Sequence, residues 1–262
     1  MEHKVHSGDA TISYETDGDP RAPALLLINS IGSTRDMWAR QMPAFTTLYR
    51  VIRYDARGHG QSSVPRGPYT LDQLGQDAMA ILDDAGASTA DVCGLSLGGI
   101  TALWLGLNAA NRVRGLVLAN TAARIGTVEM WTERIALVHQ KGMSAVADLA
   151  MERWFTPGFR ERDPDTVRVF RSMVENCPSD GYLGCCAALR DADLRDRVSG
   201  LGASLLLIAS SADAATPPAG LEFIHERVKG AQLVTLNSAH LSNVECAEAF
   251  TTAVLDFLKP KT

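Results

Sequence analysis

Three side chains in this sequence are of the types that together make an activated nucleophile. They are Ser96 inside Gly94-Leu95-Ser96-Leu97-Gly98, Asp213 just ahead of Thr216-Pro217-Pro218, and His240 at the end of Asn237-Ser238-Ala239-His240. A serine hydroxyl attacks a carbonyl well only when a base takes its proton, and an imidazole is a good base only when an acid fixes its tautomer and balances its charge. Imidazole, with an unperturbed pKa of about 6.5, is suited to that task near neutral pH. The expected roles are Ser96 as nucleophile, His240 as base and Asp213 as orienting acid, acting on an acyl carbonyl.

The tetrahedral intermediate of such a reaction needs N–H donors for its oxyanion. One is expected from Leu97, the residue after the nucleophile, and a second from Ile31 in Asn29-Ser30-Ile31-Gly32. The other histidines compete poorly: His3 and His6 lie near the N-terminus, His139 and His225 lie inside helical patterns, and His59 belongs to the turn Arg57-Gly58-His59-Gly60. Asp55, ahead of that turn, reads as structural. No residues fall at metal-ligand spacing, and neither a metal nor an organic cofactor is expected.

These residues must be held at strand ends, and the chain supplies the strands. Short apolar runs (ATISYET, ALLLIN, YRVIRYD, ADVCGLS, RGLVLAN, ASLLLIAS and AQLVTLN) alternate with helical patterns. Near-continuous apolar runs suit parallel strands covered on both faces. Between two of them, Thr70 and Gln73 form a capping box ahead of a stripe of Leu71, Leu74, Ala78, Ile81 and Leu82, with Gly86 as the stop. Ser96 sits where a strand turns sharply into a helix, a reversal that leaves no room for Cβ atoms at the flanking glycines. After Asp213, Thr216 reads as a helix cap and Pro217 as the first helical residue.

From Arg124 to Arg190 the pattern is helical with no strand signal. The predicted fold is α/β: a mostly parallel central sheet flanked by helices, with a core in two parts (1–123 and 191–262) and a helical cap inserted at 124–190.

Composition narrows the function classes. The 262 residues are 46% apolar and carry a formal charge of −5, with no Lys/Arg run to meet phosphates, so nucleic acid is not an expected partner. No stretch approaches the roughly 18 uninterrupted apolar residues of a membrane span, and the N-terminal residues have no apolar signal segment. The five cysteines, Cys93, Cys177, Cys185, Cys186 and Cys246, show no disulfide or metal spacing and read as reduced thiols of a cytoplasmic chain. Monomer and homodimer fit equally well.

In chain order, Ser96, Asp213 and His240 follow the α/β-hydrolase pattern. The residues resemble that superfamily over nearly the whole chain and, within it, the 3-oxoadipate enol-lactonases of aromatic (protocatechuate and catechol) catabolism. The stretches that carry the likeness are Leu118–Gly126 (LANTAARIG), Gly181–Arg195 (GYLGCCAALRDADLR) and Ala239–Glu245 (AHLSNVE). Asn29-Ser30 departs from the usual His-Gly of the superfamily but is similar to the lactonases. Ser210-Ser211-Ala212 stands where relatives carry a glycine.

The resemblance implies a small enol-lactone with an acetate arm, opened to a 3-oxo diacid. A substrate carboxylate calls for arginine. The cap offers Arg124, Arg134, Arg153 and Arg190, with Trp131 and Trp154 as apolar walls; Arg134 is favoured because it shares a helix face with Trp131. A small-ester carboxylesterase or cofactor-free perhydrolase of the same fold is the alternative, and a non-catalytic ligand receptor a remote one.

Overall fold

The computed structural model describes residues 1–259. The strands are β1 (Glu2–Ser7), β2 (Ala10–Asp17), β3 (Ala24–Ile28), β4 (Arg50–Tyr54), β5 (Ala90–Leu95), β6 (Val113–Ala119), β7 (Ser204–Ser210) and β8 (Gln232–Leu236). They form one sheet in the order β1-β2-β4-β3-β5-β6-β7-β8, antiparallel at β1-β2 and β2-β4 and parallel from β4 to β8. The central strands β3 and β5 are buried along their whole length, which is why they read as unbroken apolar runs. β1 has no such signal: only Ser7 of its six residues is buried, and the strand is held by edge pairing to β2.

The helices are α1 (Met42–Phe45), α2 (Leu71–Asp84), α3 (Leu97–Asn108), α4 (Val128–Trp154), α5 (Pro157–Arg162), α6 (Pro164–Glu175), α7 (Ser179–Asp191), α8 (Ala219–Arg227), α9 (Ser242–Glu245) and α10 (Ala247–Leu258). α2 starts at the expected capping box, with Thr70 and Gln73 bonded reciprocally. α8 starts later than expected, at Ala219. Thr216 does not cap it, because its hydroxyl donates to Asp213 instead.

The segment between β6 and β7 carries α4 to α7, which lie over the C-terminal ends of the strands. α4 is broken at Gly142, whose φ of 73° is a left-handed value that glycine adopts at little cost. The cap buries its own aromatic cluster, with Phe155 stacked on Phe159 at 5.0 Å and Phe170 edge-on to Phe155 at 5.5 Å. No helix among the described residues is long and apolar enough to cross a membrane.

The chain runs from β3 outward to β4 and then back to the other side of β3 to form β5. That reversal opens a crevice at the C-terminal ends of β3 and β5, where ligands bind in open α/β sheets. The cap closes down on it through backbone contact: a Cβ on Gly181 of α7 would lie 2.0 Å from the Gly58 carbonyl oxygen. Gly181→Ala should therefore lower the unfolding free energy in urea by about 1–3 kcal/mol. Gly158→Ala, which meets nothing within 4 Å, should leave stability unchanged or slightly raised.

Candidate active site

Ser96 sits between β5 and α3 with φ 59° and ψ −117°. The turn is tight on both sides: a Cβ on Gly94 would lie 2.0 Å from the Gly98 carbonyl oxygen, and one on Gly98 2.0 Å from that of Ile28. Only glycine fits either place. The strained turn is pinned to the neighbouring strand, since the Ser96 N–H donates to Ala119 O at 3.0 Å and the Thr121 hydroxyl donates to Ser96 O at 2.8 Å.

Asp213 lies just beyond β7, almost fully buried, and accepts from the Ala215 N–H (2.8 Å), the Thr216 N–H (2.9 Å), the Thr216 hydroxyl (2.8 Å) and Asn120 Nδ2 (2.9 Å). Its Oδ2 is 2.9 Å from His240 Nδ1. Burial alone would raise its pKa, but the charge and hydrogen bond of His240 and the other donors outweigh it and hold the carboxyl at about 2. An ionised carboxylate only accepts, so Nδ1 of His240 carries the proton and Nε2 is left as the basic nitrogen.

Ser96 and His240 line one cavity of about 60 Å3 together with Ile31, Trp131, Arg134, Arg153, Trp154 and Tyr182. Among the described residues, Ser96 and His240 are not directly hydrogen-bonded. Leu97 opens α3, where N–H groups have no acceptor within the helix. Neither its N–H nor that of Ile31 has a backbone acceptor among the described residues.

The cap residues divide. Arg134 and Arg153, on either side of the break in α4, reach the cavity half-buried; Arg134 bonds the Tyr182 hydroxyl at 3.3 Å, and neither arginine makes an ion pair among the described residues. Trp131, fixed by its indole N–H to Ile125 O at 2.7 Å, and Trp154 form walls. Arg124 and Arg190 are not brought to the cavity. Arg124 faces Asp193 at 3.4 Å, and Arg190 is taken by its neighbour Asp191 at 2.8 Å beside a separate surface crevice. Both guanidiniums have local acidic partners that hold them at the protein surface.

Several supporting residues are not among the sequence candidates for the site. Asn120, with φ 44°, donates to Asp213 and to Ser210 Oγ and accepts from the Ser242 hydroxyl at 2.6 Å. An asparagine directly after a strand is a usable signal, because its short amide tolerates left-handed backbone. Ser210, the first residue of the Ser210-Ser211-Ala212 stretch, bonds Asn120 and Ser238 and so joins the network.

His59 reads in the sequence as a turn residue only, yet it accepts the Gly32 N–H at Nε2 (2.9 Å) and donates from Nδ1 to Arg57 O (3.1 Å). It thereby braces the loop that carries Ile31. Asp55 is structural as expected, accepting the N–H groups of Arg35 (2.8 Å) and Gln61 (2.9 Å). The adjacent thiols Cys185 and Cys186 are fully buried in α7, and burial pushes Cys186 up to about 12, which suits packing and not nucleophilic attack. Among the described residues no cluster of three or more His, Cys, Asp or Glu could hold a metal ion.

Full burial pushes the His59 pKa down to about 4. The unfolded chain therefore binds this proton more readily than the folded one between its ordinary value and 4, and stability falls as the pH drops through that window. His59 alone should remove about 3 kcal/mol between pH 7 and pH 4. Urea titrations across that range should show the slope, and His59→Gln should flatten it.

Residues 23–246 match the family described as alpha/beta hydrolase fold. The chain is 40% identical to "3-oxoadipate enol-lactonase 2" of Acinetobacter baylyi, with 96% of this chain and 94% of the relative covered. Among solved structures, the enol-lactonase from Burkholderia xenovorans superposes with a TM-score of 0.96 at 38% identity, covering 98% of this chain and 99% of that one. A hydrolase from Pseudomonas aeruginosa superposes with a TM-score of 0.96 at 45% identity, covering 98% of each chain. The chain belongs to the α/β-hydrolase family, as an ester hydrolase whose relatives include the 3-oxoadipate enol-lactonases.

Proposed function

We propose that this hydrolase opens 3-oxoadipate enol-lactone to 3-oxoadipate, a step of aromatic catabolism, through an acyl-enzyme on Ser96. The observation that carries the reading is the pair of half-buried guanidiniums, Arg134 and Arg153, that face the Ser96 cavity with no ion-pair partner among the described residues. A cation that is partly desolvated without a protein carboxylate is well placed to take one from a ligand. The enol-lactone carries one on its acetate arm.

In this mechanism His240 Nε2 takes the proton as Ser96 Oγ attacks the lactone carbonyl, while Asp213 balances the imidazolium. The N–H groups of Ile31 and Leu97 hold the oxyanion. Collapse breaks the ring C–O bond, and His240 returns the proton to the departing enol oxygen, which ketonises. Water, deprotonated by His240, then attacks the acyl carbon and releases the second carboxylate from Ser96. Trp131 and Trp154 keep bulk water from the acyl group. The cavity of about 60 Å3 is far below the roughly 300–1,000 Å3 of ordinary ligand sites, so the lactone is admitted by displacement of cap side chains.

Steady-state kinetics on the enol-lactone beside p-nitrophenyl acetate test the reading. A kcat/KM several hundredfold higher for the lactone is expected, and comparable values would leave a general esterase. Ser96→Ala should abolish turnover while the protein still folds, and Asp213→Asn should lower kcat by about 10^4-fold. Arg134→Ala should act mainly on KM for the lactone.

A further inference from the structure

The stretch Ala239–Glu245 resembles the enol-lactonases, and its last residue has no part in the triad. Glu245 ends α9 and its carboxylate spans two elements. Oε2 accepts the Ala239 N–H at 3.1 Å, on the loop that carries His240, and the Thr156 N–H at 3.2 Å, on the cap. Oε1 accepts the Thr156 hydroxyl, which in turn caps α5 by accepting the Phe159 N–H at 3.2 Å. Beside this clamp the two backbones run together, with the His240 N–H on Arg153 O at 3.4 Å and the Leu241 N–H on Trp154 O at 3.1 Å.

The residues so aligned are the ones that face the cavity from the two sides: Arg153 and Trp154 from the cap, His240 from the core. The core side has other anchors. His240 is held by Asp213, Ser242 bonds Asn120, and Asn243 Nδ2 donates to Met37 O at 2.9 Å. The cap edge at Arg153–Thr156 has the two backbone bonds and Glu245, and without Glu245 the Thr156 N–H and hydroxyl lose their charged acceptor.

We propose that Glu245 is a positioning residue for substrate specificity, holding the Arg153–Trp154 edge of the cap in register with His240. It sets the distance between the guanidinium that reads the substrate's carboxylate and the carbonyl under attack. This rests on the reading above that the substrate is an anion, but not on the identity of the lactone.

The test compares two esters of equal acyl length, mono-p-nitrophenyl succinate with a terminal carboxylate and p-nitrophenyl butyrate with a methyl. The wild-type protein should prefer the charged ester. Glu245→Ala should cut that preference about tenfold, through KM for the succinate, as expected for one displaced charge-assisted contact. The butyrate kcat/KM should stay within about threefold, because His240 keeps its own anchors. Glu245→Gln, which retains one carbonyl acceptor for the two N–H groups, should restore most of the preference.

Thr156→Val, which removes only the hydroxyl, should give a smaller loss in the same direction and serves if Glu245→Ala does not fold. Equal preference in wild type and variants, a parallel fall for both esters, or no preference in the wild type would each overturn the proposal. Failure on the enol-lactone with the succinate preference intact would sink the lactone reading alone.

Discussion

The site hangs on a steric constraint at the end of β5, where the chain reverses at Ser96 with positive φ and glycine on either side. Close approach is the point of those glycines. Gly98 lets the first turn of α3 sit against the carbonyl of Ile28, so the loop after β3 lies beside the start of the helix. The N-terminal N–H groups of α3 are then directed at the same crevice as that loop, with the helix dipole adding to their field. The left-handed turn costs backbone strain, and the bonds from Ser96 to Ala119 and Thr121 are what over-determine it.

Around that fixed point charge is distributed unequally. The core side holds a carboxylate saturated with donors: Asp213 is kept ionised by His240, Asn120, Thr216 and Ala215, and this keeps the histidine in one tautomer. The cap side holds cations with no ion-pair partner among the described residues, Arg134 and Arg153. Burying charges in that way is unfavourable unless something arrives to pair with them. That arrangement suits the proposed substrate, whose remote carboxylate would pair with the cap while its carbonyl lies over Ser96, lowering the entropy cost of that placement.

The parts of this arrangement that are legible in the sequence are those with a local signature. Fully buried strands write themselves as apolar runs, the α2 capping box is a four-residue pattern, and Gly94 and Gly98 are demanded by the turn they flank. What cannot be read depends on which of several available partners the folded chain selects. β1 is an exposed edge with no apolar run of its own, and Thr216 looks like a helix cap until Asp213 takes its hydroxyl. Arg124 and Arg190 look like any other cap arginine, and only the fold shows that acidic neighbours Asp193 and Asp191 keep them on the surface. His59 acts through a hydrogen bond to the backbone of another loop, which no residue-type pattern at its own position announces, and for Asn120 the strand-end position hints at left-handed backbone but not at its bond to Asp213.

The break in α4 divides the cap into parts with different freedom. Ahead of Gly142 the helix carries Trp131 and Arg134; beyond it lie Arg153 and Trp154, whose carbonyls are bonded to the His240 loop. The second part is bonded to the core beside the base, so it behaves as an extension of the core. Nothing comparable ties the first part to the His240 loop among the described residues, and the surroundings of Gly142, where an added Cβ would meet nothing within 4 Å, leave the joint sterically open. If the proposed lactone enters this cavity, the least-cost enlargement is by movement of the Trp131–Arg134 face, with the Arg153 edge kept in register with the reacting groups. For the anionic substrate proposed above, admission and positioning would then fall to opposite ends of one helix, with Arg134 on the part free to move and Arg153 on the part bonded to the His240 loop.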